Sequence, residues 1–256
     1  MTDRPLKSGL ESDGQLLRLR LARPKANLFD AVMIEAVDGA LSGEAGNKRL
    51  KAVLLCADGP HFSFGASVEE HLPGQCESML RALHGLILRI FEYPVPVLGA
   101  VRGQCLGGGL EVAAAGHLMF AAPDAKFGQP EIKLGVFAPA ASCLLPIRIG
   151  RAKAEDMLFS GRSLDAPEAH RVGLVNAIDD DPESCALAWF ERHLLPLSAG
   201  SLRFAVTAAR GGLQGEVRRR LAEVETLYLE ELMSTRDAVE GLNAFIAGRE
   251  PQWGRG

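Results

Sequence analysis

Apolar and polar positions change period several times along the chain, and each change marks an element. QLLRLRLA (15–22) alternates and predicts a strand, broken by RPK. Over 28–41 apolar residues recur at helical spacing and stop at Gly43. LKAVLLC (50–56) is a short unbroken apolar run, as in a strand buried on both faces. ADGPHFSFGAS (57–67) is dense in chain breakers and reads as a loop. Residues 76–93 predict an amphipathic helix ended by Pro94 and Pro96. PVLGAVR (96–102) and HLMFAA (117–122) predict two further strands. Strands alternating with helices imply an α/β layered core with parallel pairing.

After Pro139 the texture changes. Short helices are expected over 140–150, 152–161 and 166–171, with a strand at GLVNAI (173–178). From Pro182 onward four helical patterns dominate: ESCALAWFERHLLPL, SLRFAVTAARG, EVRRRLAEVETLYLEELMS and TRDAVEGLNAFIAG. The chain thus divides into a core over 1–195 and a helical region over 196–256. Leu221, Val224, Leu227, Tyr228 and Leu232 exceed the needs of one packing face, which predicts self-association. The run Arg218–Arg219–Arg220 reads as a solvated helix face.

Composition narrows the function classes. A chain of 256 residues has ample length for a core, and its net charge of −4 leaves no basic footprint for nucleic acid. No apolar run approaches a membrane span, and MTDRPLKSGLESDG lacks the apolar centre of a signal peptide, so a cytoplasmic protein is expected. Five cysteines, with no C-x-x-C pair, read as reduced packing residues and not as a metal site.

The chemistry concentrates in VRGQCLGGGLEVAAAGHLMFAAPDAKFGQPE (101–131). Gly107, Gly108 and Gly109 follow a strand and open a helix, so backbone N–H groups lie uncovered at the positive end of a helix dipole. Such a site accepts an oxygen carrying negative charge. The pattern is not a dinucleotide fingerprint, because Val112 stands where the last glycine belongs. Glu111 lies one helical turn after Gly108, and a second carboxylate follows at Glu131. Two carboxylates beside an oxyanion site suit proton transfer next to a carbonyl. In HFSFGAS, Gly65 lets the chain turn and expose the N–H of Ala66. Paired with Gly108, this would form a two-donor oxyanion hole.

At these residues the chain resembles the crotonase (enoyl-CoA hydratase/isomerase) superfamily. The likeness runs from about residue 15 to 248 and rests on RPKANLFD, HFSFGAS, GQCLGGGLEVA, AKFGQPEIKLG, RIG and VGLVN. FSFGASVEEHLP and KLGVFAPAASCLLP are similar to the cyclic dienoyl-CoA hydratases of anaerobic aromatic degradation. The resemblance implies a ClpP-like β-β-α spiral core with a C-terminal helical region, assembled as a homotrimer or a hexamer of trimers. It implies oxyanion donors at Ala66 and Gly108, and acid–base roles for Glu111 and Glu131. It places the acyl-CoA substrate against Lys25, Ala26, Phe64, Gly65, Ser67, Val68, Gly107, Leu134 and Phe137. No cofactor is implied, since CoA arrives on the substrate, and no nucleic acid or membrane partner.

Two departures bear on the substrate. Ser67 replaces the family's common Asp after the oxyanion alanine, and FAPAAS (137–142) replaces a glycine-rich turn. Pro139 has no N–H to give. Phe64, Leu134 and Phe137 are then candidates for a flat, ring-shaped pocket. The expected reaction is 1,4-addition of water to a cyclic dienoyl thioester. The alternatives are a general 2-enoyl-CoA hydratase or isomerase, a ring-CoA hydrolase, and a non-catalytic scaffold.

Overall fold

A computed structural model describes residues 4–72 and 74–254. The chain opens with β1 (Leu6–Glu11), which turns back through Ser12–Asp13–Gly14, all at positive φ, onto β2 (Leu16–Leu21). Only Leu6 of β1 is buried, so this strand carries no hydrophobic alternation to betray it. Helix α1 (Ala31–Glu44) starts later than the apolar spacing predicts, because Asp30 caps it by accepting from Met33 N–H at 2.9 Å. There follow β3 (Ala52–Ala57), α2 (Cys76–Phe91), β4 (Val97–Val101), β5 (Gln104–Leu106), α3 (Gly108–Ala115), β6 (Leu118–Ala121) and β7 (Lys126–Gly128). The second half contains α4 (Pro139–Ile149), α5 (Arg151–Ser160), β8 (Ser163–Asp165), α6 (Ala166–Arg171), β9 (Ala177–Ile178), α7 (Pro182–His193), α8 (Ala199–Thr226) and α9 (Arg236–Ile246).

The strands form a six-stranded sheet, β1-β2-β3-β4-β6-β9, and a three-stranded sheet, β5-β7-β8. In the larger sheet every pair after β1/β2 is parallel. The chain alternates between the sheets: β4 and β6 enter the large one, β5 and β7 the small one. This is the β-β-α spiral. Strand β3 explains its own apolar run. Val53 and Leu55 face the main core with α1 and α2, whereas Leu54 and Cys56 face Phe190 and Leu194 around α7.

Three features differ from the sequence expectation. Strands β5, β7 and β8 have three residues each, too few to show a period. Of GLVNAI only Ala177 and Ile178 pair as strand. The two helical patterns on either side of Gly211–Gly212 are one 28-residue helix, α8, ending in a π-helical turn, Leu227–Glu231. Leu221 and Tyr228 are buried in the chain's own core, and Val224 and Leu232 pack on it, leaving Leu227 exposed. Those positions therefore do not supply the surplus apolar face that suggested self-association. Arg218 and Arg219 are exposed and pair with Glu92 and Glu223.

Candidate active site

The loop before Gly65 is held by backbone on both sides. Phe64 N–H donates to Ala26 O and Phe29 N–H to Gly65 O, both at 2.9 Å. On the other side Ser63 N–H donates to Gln104 O and Leu106 N–H to Ser63 O, both at 3.0 Å. Ser63 Oγ donates to Asn27 O, and buried Asn27 donates on to Asp58 O and His61 O. The loop is therefore a third rail between RPKAN and β5.

This ladder brings Gly65 and the glycine triplet together. A Cβ on Gly65 would lie 3.0 Å from Leu106 O and 3.3 Å from Gly108 N, and one on Gly108 would lie 3.2 Å from Ala66 N. The N–H groups of Ala66 and Gly108 are thus neighbours. Among the described residues neither donates to an acceptor within the chain. The triplet serves close approach as much as freedom. Gly107 makes room for Glu131, whose Oε1 lies 2.7 Å from where a Cβ would sit, and Gly109 makes room for Ser63.

Glu111, on the first turn of α3, is buried, and its Oε1 accepts from Ala141 N–H of α4 at 2.8 Å. Burial raises its carboxyl above the ordinary range, opposed by the charge of His84 and by the Ala141 N–H. His84, on α2, shares a 2.5 Å hydrogen bond through Nδ1 with Glu225 of α8. Glu131 sits in a 3-10 turn, Pro130–Leu134, that follows β7. Gln129, oriented so that its amide nitrogen faces the carboxylate, donates to both oxygens of Glu131 at 3.0 Å. Burial and then the charge of Glu111 raise the Glu131 carboxyl. Two carboxyls that oppose each other's ionisation are suited to hold one proton between them.

One cavity is lined by Phe64, Gly65, Ala66, Val68, Gly107, Gly108, Glu111, Glu131, Leu134 and Phe137. Lys25 and Ala26 lie outside it, in an adjoining open cleft with Arg4, Lys7 and Arg23. Ser67 turns away from the cavity: its hydroxyl donates to Glu69 at 2.9 Å and accepts from Glu70 N–H. Leu80, Leu83, Val136 and Leu242 add apolar side chains to the walls. Phe137 stacks edge-on against Tyr228 with ring centres 5.3 Å apart, and Phe64 against His61 at 5.0 Å. His71, which the sequence reading passed over, also lines the cavity. Its Nδ1–H donates to Ser67 O at 2.7 Å, and burial holds its pKa down. Pro139 opens α4, so its missing N–H falls where a helix has no use for one, and the Ala141 donor two residues on goes to Glu111.

The chain matches the family described as Enoyl-CoA hydratase/isomerase over residues 11–256. It is 63% identical over 249 residues to the cyclohexa-1,5-dienecarbonyl-CoA hydratase of Thauera aromatica, spanning 97% of this chain and 96% of that one. It is 32% identical over 250 residues to a probable enoyl-CoA hydratase of Bacillus subtilis (strain 168), spanning 92% and 93%. Among solved structures it resembles an enoyl-CoA hydratase from Mycobacterium avium subsp. paratuberculosis K-10, with TM-score 0.85 and 25% identity over 98% of each chain.

Proposed function

The chain belongs to the enoyl-CoA hydratase/isomerase family, and from that premise we propose that it hydrates cyclohexa-1,5-diene-1-carbonyl-CoA to 6-hydroxycyclohex-1-ene-1-carbonyl-CoA. The observation that carries the substrate is the 63% identity along nearly the whole chain, about twice that to the general hydratase of Bacillus subtilis. The apolar cavity with aromatic edges at Phe64 and Phe137 suits a ring, and the open cleft at Lys25 and Arg4, where Lys7 and Arg23 are paired with Asp58 and Asp30, suits the anionic nucleotide of CoA.

The chemistry follows from the groups present. The thioester oxygen accepts from Ala66 N–H and Gly108 N–H. Glu111, whose carboxylate accepts from the Ala141 N–H against the burial that raises its pKa, takes a proton from water. The hydroxide oxygen bonds to C2, the β-carbon, and the C1=C2 electron pair moves onto the thioester oxygen. The charge is shared along the remaining double bond as a dienolate. Glu131, kept protonated by burial and by Glu111, delivers its proton to C5. The carbonyl reforms and the double bond now joins C1 and C6, which the product's numbering calls C1=C2. Preorganised N–H donors at the developing oxyanion supply the largest share of such catalysis. No group beyond the substrate's own CoA takes part in this reading.

The test is turnover in D₂O. Deuterium belongs on the substrate's C5, which is C3 of the product, with none on the α-carbon. The cyclic diene should exceed crotonyl-CoA by roughly 10²-fold in kcat/KM, since an acid placed for C5 is misplaced for an α-carbon. Comparable turnover of crotonyl-CoA, with deuterium on its α-carbon, would return the chain to the general hydratases. The same reading includes assembly as a trimer or hexamer. Phe204 and Phe245, both well exposed, are apolar positions that assembly could cover, and light scattering at micromolar concentration checks it.

A further inference from the structure

The far end of α3 carries an unusual arrangement of charge. Arg148, on α4, donates through Nη1 to Ala114 O at 3.1 Å and Gly116 O at 2.9 Å. Arg210, on α8, donates through Nη1 to Ala115 O at 2.8 Å and Phe91 O at 2.9 Å, and through Nη2 to Gly116 O. Its guanidinium also stacks on the Phe91 ring, 4.5 Å from the centroid. Among the described residues neither arginine forms an ion pair, and the groups that accept from them are backbone carbonyls: those that end α3, with His117 O for Arg148 and Phe91 O, at the end of α2, for Arg210. Burial lowers both guanidinium pKa values, that of Arg210 to about 10, and the guanidinium group is basic enough to keep its charge in proteins. Burial, with the two arginines, pushes His117 down to about 3, and its neutral Nδ1 accepts from Val97 N–H at 3.0 Å.

We propose that Arg148 and Arg210 are positioning residues for the oxyanion hole: two cations on the C-terminal carbonyls of α3 fix that helix and strengthen the positive potential its N-terminus presents to the thioester oxygen. Helix α3 has eight residues, about 12 Å of length. In so short a helix the negative end of the dipole lies close to the positive end and opposes its field. Two guanidiniums at the negative end remove that opposition and add charge of the favourable sign. All eight residues of α3 are buried, so little water screens the effect. Helix α4 ties the two ends together, since its Ala141 N–H holds Glu111 beside the hole and its Arg148 holds the opposite end. This inference rests on the oxyanion reading above.

The test separates charge from hydrogen bonding in the full-length protein. Cyclohexanecarbonyl-CoA labelled with ¹³C at the thioester carbonyl is saturated and cannot be hydrated. Its carbonyl band, read by infrared difference, should fall to lower wavenumber on binding to the wild-type protein. Arg148→Gln and Arg210→Gln keep a donor but lose the charge. Each should lose a clear part of that band shift and roughly ten-fold in kcat, with KM moving less than about two-fold. Arg148→Lys and Arg210→Lys keep the charge and should keep most of the shift. If the Gln and Lys variants lose equally, or if folded Gln variants keep the wild-type shift and kcat, charge is not the agent and the proposal fails. Should a Gln variant not fold, a folded Lys variant that has lost the shift refutes it just as well. Absence of any shift in the wild-type protein would instead refute the oxyanion hole itself.

Discussion

Gly107→Ala tests whether the Glu131 carboxylate is needed where the structure puts it. A Cβ at Gly107 would lie 2.7 Å from Glu131 Oε1, whereas ordinary contacts of this kind begin at 3.4 Å. The carboxylate must therefore retreat by about 0.7 Å. A misplacement near 1 Å costs on the order of 10²-fold, so kcat should fall roughly 10- to 10²-fold. The backbone sets a separate cost. Gly107 sits at φ 50° and ψ −131°, a conformation strained for alanine by roughly 1–3 kcal/mol. For a chain of this size that lowers Tm by roughly 3–10 °C. Stopped-flow kinetics on the cyclic dienoyl-CoA and scanning calorimetry read the two effects apart. The decisive measurement is the same substitution in a Glu131→Gln background, where no further kinetic loss is expected because the group it displaces has already lost its proton chemistry. A folded Gly107→Ala protein with kcat within about two-fold of wild type would refute the reasoning. So would a kinetic loss that adds in full to that of Glu131→Gln.

Glu111→Gln and Glu131→Gln should each lose roughly 10²–10⁴-fold in kcat while keeping their circular dichroism, and near-normal turnover by both would remove the two-carboxylate mechanism. Gly108→Pro deletes one of the two proposed oxyanion donors and should lose roughly 10²–10³-fold, provided circular dichroism shows it folded. Stability should also register the buried acids. Glu111 and Glu131 are both raised in the fold, so their protonated forms favour the native state, fully below the ordinary carboxylate range. That contribution disappears as pH rises through the raised values. Glu131→Gln, which cannot ionise, should therefore gain Tm relative to wild type as pH rises from the ordinary carboxylate range to about 8, and a Tm difference that stays flat across that window would contradict the shift.

What the sequence showed of this fold depended on length and on burial. Strands β2, β3, β4 and β6 were visible because one or both of their faces enter a core, and α2 because one stripe of it does. Strand β1 was hidden because it presents one buried residue, and β5, β7 and β8 because three residues display no period. The glycines at 211 and 212 read as a break, yet α8 runs through them. A Cβ at either would meet nothing within 4 Å, so no turn or close approach requires glycine there. Propensity alone predicted a break that the packing of the flanking turns, through Val206 and Val217, overrides.

The site divides along a different line. Glu111, Glu131, Gly108 and Ala66, which the structure brings to one cavity, were marked as candidates by residue type and by spacing within short segments. Ser67 belonged to the same segment but serves the turn that follows, where its hydroxyl and Glu69 satisfy each other. The groups that hold the site were not legible, because they act through backbone atoms far away in sequence. Ala141 N–H reaches Glu111 across 30 residues, and Arg210 reaches the carbonyl of Ala115 across 95. Nothing about an alanine marks it as the donor to a buried carboxylate, and an arginine in an amphipathic helix reads as a solvated residue until the carbonyls it meets are known. Gln129 is the intermediate case. It stands two residues before Glu131 in AKFGQPE, but only the turn over Pro130 brings its amide onto both carboxylate oxygens. Segments of the chain thus name the candidate groups, whereas the packing of α4 and α8 against α3 sets what surrounds them.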